Sequence, residues 1–223
     1  MHEHNILYLV FVKYKGTDQG STGTGVAISR DGLIMTNAHV IKGPGGEVEQ
    51  IYVFSSYGSK QGKSEPVKAE LKYSVFNEEP STQGEMMDLA LLQVDISKFK
   101  SWDYLLLEPE NIEKGTTVVA YGYPGVALKD FDLSKMALEV VHSKPGVISV
   151  ITGNVYTHDC STFFGNSGGP LVTEDGKLVG INTAIHLQQE RDGHVITSDY
   201  SLSIRSGVAK EFLDECLKRM NRK

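Results

Sequence analysis

A glycine-rich segment around one serine carries the residue types most suited to chemistry in this sequence. It reads Gly-Asn-Ser-Gly-Gly-Pro at residues 165–170. A serine hydroxyl is a poor nucleophile until a base takes its proton, and it needs backbone N–H groups aimed at the oxyanion that develops during attack. Glycines beside Ser167 allow the tight backbone that turns such amides inward. Taken alone, the segment also suits a plain turn that leads into a strand.

Two other short segments place a histidine and an acid next to apolar strands. Thr-Asn-Ala-His-Val at residues 36–40 contains His39, and Asp-Leu-Ala-Leu-Leu at residues 88–92 begins with Asp88. A lone histidine is more often a surface or core residue, and an aspartate that opens a strand is commonly a cap. The occurrence of all three segments in the order His, Asp, Ser is hard to assign to chance. It favours a site built around a nucleophilic serine.

The elements that must position these residues are mostly short strands. Period-two and short apolar runs predict strands at residues 6–12, 25–29, 33–36, 50–54, 67–75, 89–94, 116–122, 138–142, 146–151, 171–173, 178–183 and 194–204. The Asp-Gly pairs at residues 31–32 and 175–176 predict hairpin turns, because glycine tolerates the positive φ that such turns require. The glycine-rich residues 20–25 predict a flexible turn rather than a phosphate loop, because they precede a strand. Many short strands with glycine-rich turns indicate barrels or a sandwich.

One helix is predicted, at the end of the chain. Ser206 is its N-cap, and apolar residues recur at three- and four-residue spacing as far as Met220. Basic residues at its C-terminal end suit the helix dipole. The apolar stripe includes Cys216 and predicts a face packed on the protein body.

Composition excludes several functional classes. The 223 residues carry 22 Lys and Arg against 28 Asp and Glu, a net charge of −6, which argues against a protein that binds nucleic acid. No apolar run approaches the roughly 18 residues of a membrane span. The sequence has no His-Glu-x-x-His helix and no Cys-x-x-Cys pair, so we predict neither a metal nor another cofactor.

The cysteines and the first residues bear on the compartment. Two cysteines, Cys160 and Cys216, do not make a disulfide framework, and residues 1–12 are a poor secretory signal. Both observations favour a reducing, cytoplasmic location. A periplasmic or secreted location is the alternative if a signal was removed upstream.

The three segments resemble the three motifs of trypsin-like serine proteases. The similarity is to the HtrA/Deg-type branch, with a secondary likeness to bacterial glutamyl endopeptidases, and it runs from about residue 6 to residue 213. Supporting matches lie at residues 23–26, 31–32, 122–124, 146–149 and 180–183. The resemblance implies an all-β, chymotrypsin-like fold of two antiparallel six-stranded β-barrels with a C-terminal α-helix. We expect the barrels in residues 1–104 and 105–205 and the helix in residues 206–223, with the active site in the cleft between the barrels.

The resemblance also implies a role for each matched residue. Ser167 is the nucleophile, His39 is the general base and then the general acid, and Asp88 holds the imidazole tautomer. The resemblance implies that Gly165, Asn166 and Ser167 form the oxyanion hole. The expected reaction is endopeptidase cleavage of protein or peptide substrates through an acyl-enzyme. A protease-fold binding or scaffolding protein that is held inactive, or an esterase that uses the same triad, is the alternative.

The specificity pocket implied by the resemblance is uncharged. Its floor lies six residues before the nucleophile, at Ser161, so we expect small or medium uncharged side chains before the cleaved bond. Its walls are expected from Thr162, Phe163, Phe164, Thr183, Ala184, Ile185, Asp199, Tyr200 and Ser201. Asp199 would recruit a cation if its carboxylate turned into the pocket. Phe163 and Phe164 suit core packing as well as they suit a pocket wall.

The sequence departs from the family pattern in three places. HtrA/Deg-type proteins usually continue into a peptide-binding PDZ domain, which we do not expect in this chain, and the aromatic N-terminal segment that builds their trimer is not evident. The oligomeric state is therefore open. Asn166 stands where the zymogen branch has an aspartate, so we predict that activity needs no cleavage of an N-terminal propeptide. Asn182 stands where glutamyl endopeptidases have a histidine, so their substrate preference does not transfer.

Overall fold

The structure, a computed structural model, describes residues 5–17, 20–43, 46–56, 65–77, 86–107, 112–123, 140–183, 188–191, 194–197 and 200–222. Within these residues every strand pairing is antiparallel. The same part of the chain contains no helix that is both long and apolar enough to cross a membrane.

The first barrel is a closed sheet of six strands. Its elements are β1 Leu7–Tyr14, β2 Gly20–Ala27, β3 Leu33–Thr36, the single-turn helix α1 Ala38–Lys42, β4 Val48–Ser55, β5 Val67–Asn77 and β6 Met87–Val94. The strands close in the order β1-β2-β3-β6-β5-β4. Helix α1 begins two residues after β3 ends and carries His39.

The second barrel is built in the same way from shorter strands. Its elements are β7 Thr117–Gly122, β8 Val141–His142, β9 Gly146–Thr152, β10 Val155–His158, β11 Pro170–Thr173, β12 Leu178–Thr183, β13 Gln188–Arg191, β14 His194–Thr197 and β15 Ser201–Arg205. The order β11-β12-β15-β10-β9-β7 closes because β11 also pairs with β7, while β8 adds to β7 and β13 pairs only with β14. Two closed six-stranded barrels confirm the predicted fold class.

Strands β1 and β6 have apolar neighbours on both faces. Along β1, Tyr8, Val10 and Val12 point into a cluster whose fully buried members all belong to the first barrel and α1. The alternate residues Leu7 and Leu9 join a second cluster, which also contains residues of the second barrel and of the C-terminal helix. Since strand side chains alternate between faces, burial on both sides explains the almost continuous apolar sequences of these strands.

The C-terminal helix α2, Ser206–Met220, packs where the two barrels meet. Its residues Phe212, Leu213 and Cys216 are buried in the cluster that contains Leu91 of β6 and Ile204 of β15. Burial of a large apolar side chain contributes roughly 1.5–3 kcal/mol. This packing confirms the predicted helix and the core position of its cysteine, but the N-cap is Arg205 and not Ser206, which is the first helical residue. Both cysteines of the chain are unpaired and buried.

The structure corrects or extends the predicted local structure in several places. Residues 20–25 are the first part of β2 and not a flexible turn, because β1 pairs with this whole stretch. The single strand predicted at residues 194–204 is two strands, β14 and β15, which pair with different partners. Strands β10 and β13 and the short helix α1 were not predicted, since none of their four- or five-residue sequences is an unbroken apolar run. The predicted strand at residues 138–142 lies partly outside the described residues, which show β8 there.

Candidate active site

The carboxylate of Asp88 holds His39 at two points. The main-chain N–H of His39 donates to Asp88 Oδ1 at 2.9 Å, and His39 Nδ1 lies 2.5 Å from Asp88 Oδ2. Because a carboxylate accepts hydrogen bonds, Nδ1 carries the ring hydrogen and Nε2 is left as the acceptor nitrogen. The Asp88 side chain is 1% exposed and the His39 ring is 36% exposed, so the acid is buried behind a ring that reaches solvent.

Asp88 also accepts hydrogen bonds from one residue of each barrel. Thr183 Oγ1, at the end of β12 in the second barrel, donates to Asp88 Oδ2 at 2.8 Å. Asn37 Nδ2, just before α1, donates to the main-chain carbonyl of Asp88 at 2.7 Å. The buried carboxylate therefore receives three hydrogen bonds, two from His39 and one from Thr183, which offset the loss of its hydration.

The segment that contains Ser167 is docked on the first barrel through its backbone. The carbonyl of Ser167 accepts a hydrogen bond of 2.8 Å from the N–H of Thr24 on β2. Gly168 has φ +85, and a side chain there would overlap the carbonyl oxygen of Thr24 and the hydroxyl of Thr36. Only glycine permits this approach, and it brings the serine segment against the end of β3, three residues before His39.

A tight turn precedes Ser167. The N–H of Asn166 donates to the carbonyl of Phe163 at 3.0 Å, and Gly165 has φ +99. A positive φ at the third position is typical of a type II turn, whose central peptide is reversed relative to a type I turn. The hydroxyl of Thr24 donates to the carbonyl of Gly165 at 2.6 Å. The turn is thus fixed both within itself and to the first barrel.

Residues 23–181 match the family described as the trypsin-like peptidase domain. The chain belongs to this peptidase family. The matched region contains the end of β2 and the three segments that carry His39, Asp88 and Ser167.

Similar proteins include HtrA-type and magnetosome proteases. The magnetosome formation protease MamE of Paramagnetospirillum magneticum is 32% identical over 165 residues, which are 74% of this chain and 20% of the relative. The probable periplasmic serine endoprotease DegP-like of Halomonas elongata is 32% identical over 75% of this chain and 30% of its own length. Serine protease HTRA1A of Danio rerio is 28% identical over 98% of this chain and 40% of its length. The chain therefore spans less than half of each of these relatives.

A solved structure with the same fold is the serine endoprotease from Yersinia pestis. It superposes with a TM-score of 0.65 and 25% identity, over 96% of this chain and 64% of the other. The names of the relatives point to different compartments, since the Halomonas protein is called periplasmic and an HTRA2 of Drosophila ananassae is called mitochondrial. The cytoplasmic location of this peptidase stays a prediction.

The residues predicted to form the specificity pocket are described in part. Phe163 and Phe164 are 58% and 78% exposed, so neither is a core residue. Thr162 is buried, and its hydroxyl lies 2.6 Å from the hydroxyl of Ser201. The hydroxyl of Thr183 is directed at Asp88. Ser161 and Tyr200 are exposed, while Ala184, Ile185 and Asp199 lie outside the described residues.

A buried polar chain behind the serine segment was not predicted from the sequence. His158 Nε2 donates to Ser203 Oγ at 2.9 Å, and Ser203 donates to Asn182 Oδ1 at 2.9 Å. The main chain of Asn182 in turn accepts from Gly168 N–H at 2.8 Å and donates to the carbonyl of Gly169 at 2.7 Å. Burial lowers the pKa of His158 to about 4 because the charged ring would lose its hydration.

Thr24 was also not predicted as a site residue, although its Gly-Thr-Gly setting is one of the family matches. Its two flanking glycines are the signal that the main chain is approached closely here, since a side chain at Gly23 would overlap Val40 of α1.

Among the described residues, no group of His, Cys, Asp and Glu could hold a metal ion.

Proposed function

We propose that the protein is a serine endopeptidase that hydrolyses peptide bonds of protein or peptide substrates through an acyl-enzyme. The observation that carries the proposal is the two-point contact between His39 and Asp88, beside which the Ser167 segment is docked. This arrangement supports the three roles inferred from the sequence. The family match supports the same chemistry.

Each step uses a group that the geometry makes suitable. His39 Nε2 takes the proton of Ser167 as its oxygen attacks the scissile carbonyl, and Asp88 stabilises the imidazolium that results. The N–H groups of Gly165 and Ser167 receive the oxyanion, with Asn166 between them in the turn. His39 then returns the proton to the leaving amine, and a water attacks the acyl-enzyme with the same base.

We further propose that the pocket for the residue before the cleaved bond is uncharged and accepts small or medium side chains. Ser161 is neutral, and Thr162 and Ser201, the neighbouring pocket residues that the structure describes, contribute paired neutral hydroxyls. Small or medium uncharged side chains are therefore the expected preference. A peptide library checks this expectation, and a strict preference for Arg or Lys that disappears in Asp199→Ala would contradict it.

Activity without N-terminal processing is also part of the proposal. Asn166 is 2% exposed, and its Oδ1 has no hydrogen-bond partner among the described residues. A neutral amide there gives a buried ammonium no anionic partner. Mass spectrometry of titrated, active enzyme should show an unprocessed N-terminus, and activity that appears only after N-terminal cleavage would exclude this mechanism.

Labelling with a fluorophosphonate probe and a peptide-cleavage assay test the main proposal. Ser167→Ala and His39→Ala should lower kcat by about 10⁶-fold, since members of a triad act as a unit, while thermal unfolding stays unchanged. The exposed Ser101→Ala is the matched control and should behave as wild type. A wild-type protein that the probe never labels would support a binding or scaffolding role, and cleavage of esters without cleavage of peptides would support an esterase.

A further inference from the structure

Thr24 contacts the second barrel with its side chain although it belongs to the first. It lies on β2 and is completely buried. Its Oγ1 accepts a hydrogen bond of 2.9 Å from the N–H of Tyr123 and lies 2.6 Å from the carbonyl oxygen of Gly165. A hydroxyl has one hydrogen, and an N–H can only donate, so the hydrogen of Thr24 must point at Gly165.

The main chain of Thr24 holds the other parts of the candidate site. Its N–H donates to the carbonyl of Ser167 at 2.8 Å, and its carbonyl accepts from Thr36 Oγ1 at 2.7 Å. Thr36 is the last residue of β3, three positions before His39. One buried residue is therefore bonded to the turn, to the nucleophile and to the strand that leads to the base.

The turn at Gly165 depends on such a contact for its position. Phe163 and Phe164 are largely exposed, so apolar burial contributes little to holding the turn. The peptide between Gly165 and Asn166 has both polar groups engaged, its N–H by Phe163 and its carbonyl by Thr24. Glycine is the residue with the most backbone freedom, so an external bond matters most there.

We propose that Thr24 is a positioning residue that fixes Gly165 relative to Ser167, so that the two N–H groups converge on one oxyanion. This inference rests on the proposed peptidase function. The side chain is closely packed, because a Cβ on Gly122 would lie 2.9 Å from Thr24 Oγ1 and one on Gly169 would lie 3.2 Å from Thr24 Cγ2. The hydroxyl is thus held in the direction of the turn.

Three substitutions on one strand test the proposal. Thr24→Val keeps the shape and removes the hydroxyl, and it should lower kcat by about 10- to 100-fold with KM within about threefold, because the oxyanion donors are misplaced while substrate binding is not. Thr24→Ser keeps the hydroxyl and should retain kcat within about threefold. The half-buried Thr22→Val on the same strand is the control and should leave both constants unchanged.

A second readout separates positioning from a general loss of structure. A peptidyl trifluoromethyl ketone forms an anionic adduct on the serine, so its affinity should fall in Thr24→Val by the same factor as kcat. Substrate-peptide binding to a Ser167→Ala background should not change when Thr24→Val is added. If Thr24→Val fails to fold, Thr24→Cys, whose thiol is a weaker donor, should give a kcat below that of Thr24→Ser with an unchanged KM.

The outcomes distinguish this inference from the proposed function. Full kcat in Thr24→Val, or a loss in Thr24→Ser as large as that in Thr24→Val, overturns the positioning role while wild-type labelling by a fluorophosphonate leaves the peptidase function standing. Absence of labelling in the wild type overturns the proposed function itself, whatever the Thr24 variants do.

Discussion

In the first barrel the candidate site is held by side chains, whereas in the second it is held by backbone. His39 is fixed by two bonds to one buried carboxylate, and that carboxylate by Thr183. The Ser167 segment is fixed mostly by main-chain bonds and by positions where only a hydrogen fits, above all Gly168, and the hydroxyl of Thr24 is the one side-chain contact argued above. Substitutions in the part of the site that lies on the first barrel should therefore lower the catalytic rate without affecting the fold. Changes in the glycine segment should affect both.

The packing behind α1 differs in polarity from the packing behind the serine segment. Behind α1 lies a cluster of aliphatic and aromatic side chains from all six strands of the first barrel. Behind the serine segment lies the polar chain of His158, Ser203 and Asn182. Apolar packing is insensitive to pH, but a buried imidazole is not, so the packing behind the serine segment should respond to mild acid while the packing behind α1 should not.

The largest effect is expected from Asp88→Asn. The amide would favour the wrong imidazole tautomer, so kcat should fall by about 10⁴-fold while the free energy of unfolding changes little. Steady-state kinetics and thermal unfolding check this. The control is Asp31→Asn, an exposed acid in the β2–β3 hairpin turn, which should retain wild-type kcat. A kcat within about tenfold of wild type in Asp88→Asn would refute the acid–base half of the comparison.

The next largest effect is expected when an alanine replaces one of two glycines that have nearly the same φ but different surroundings. Gly168 has φ +85 and Gly176 has φ +84, but an added Cβ meets Thr24 and Thr36 at the first position and nothing within 4 Å at the second. Gly176→Ala should cost only the left-handed strain of about 1–2 kcal/mol. Gly168→Ala should cost at least about 4 kcal/mol and also lose activity, because the backbone must move. Chemical denaturation measures both, and equal costs would show that close approach does not fix the serine segment.

A smaller effect is expected on the pH dependence of stability through His158. A histidine in the unfolded chain takes up a proton near its ordinary pKa of 6.5, whereas burial lowers the pKa of His158 in the folded protein to about 4. The free energy of unfolding should therefore fall by up to about 3 kcal/mol as the pH decreases from about 6.5 to about 4. Above about pH 6.5 the neutral His158 contributes its full stabilisation. His158→Gln should flatten that slope in denaturation curves measured from about pH 7 to about pH 4. An unchanged slope would mean that another group titrates.

The smallest effect concerns the contact between the barrels at Thr183. Thr183→Val removes one of the donors to Asp88 and should lower kcat by roughly tenfold, as expected for one hydrogen bond to a charged group. In an Asp88→Asn background the same change should have little further effect, because the two residues act through one contact. A double-mutant cycle measures this coupling. Additive losses would place the role of Thr183 elsewhere, and Thr157→Val on β10 serves as the control.

Much of the fold was determined by local sequence alone. The short apolar run of β3, the Asp-Gly turns before β3 and β12, and the apolar stripe of α2 were predicted because each signal lies within a few consecutive residues. The same holds for the three segments that carry His39, Asp88 and Ser167. Their residue types and order were sufficient to indicate the chemistry and, through the resemblance, the family.

Only the tertiary structure decided how those segments are held together. The bond from Thr24 to Gly165 joins residues 141 positions apart, that from Thr183 to Asp88 spans 95, and that from His158 to Ser203 spans 45. A single hydroxyl or imidazole on a strand has no period and no local partner, so its sequence neighbours do not reveal what it will bond. Its role depends on which backbone groups face it after both barrels have closed, and glycine decides how closely they can approach.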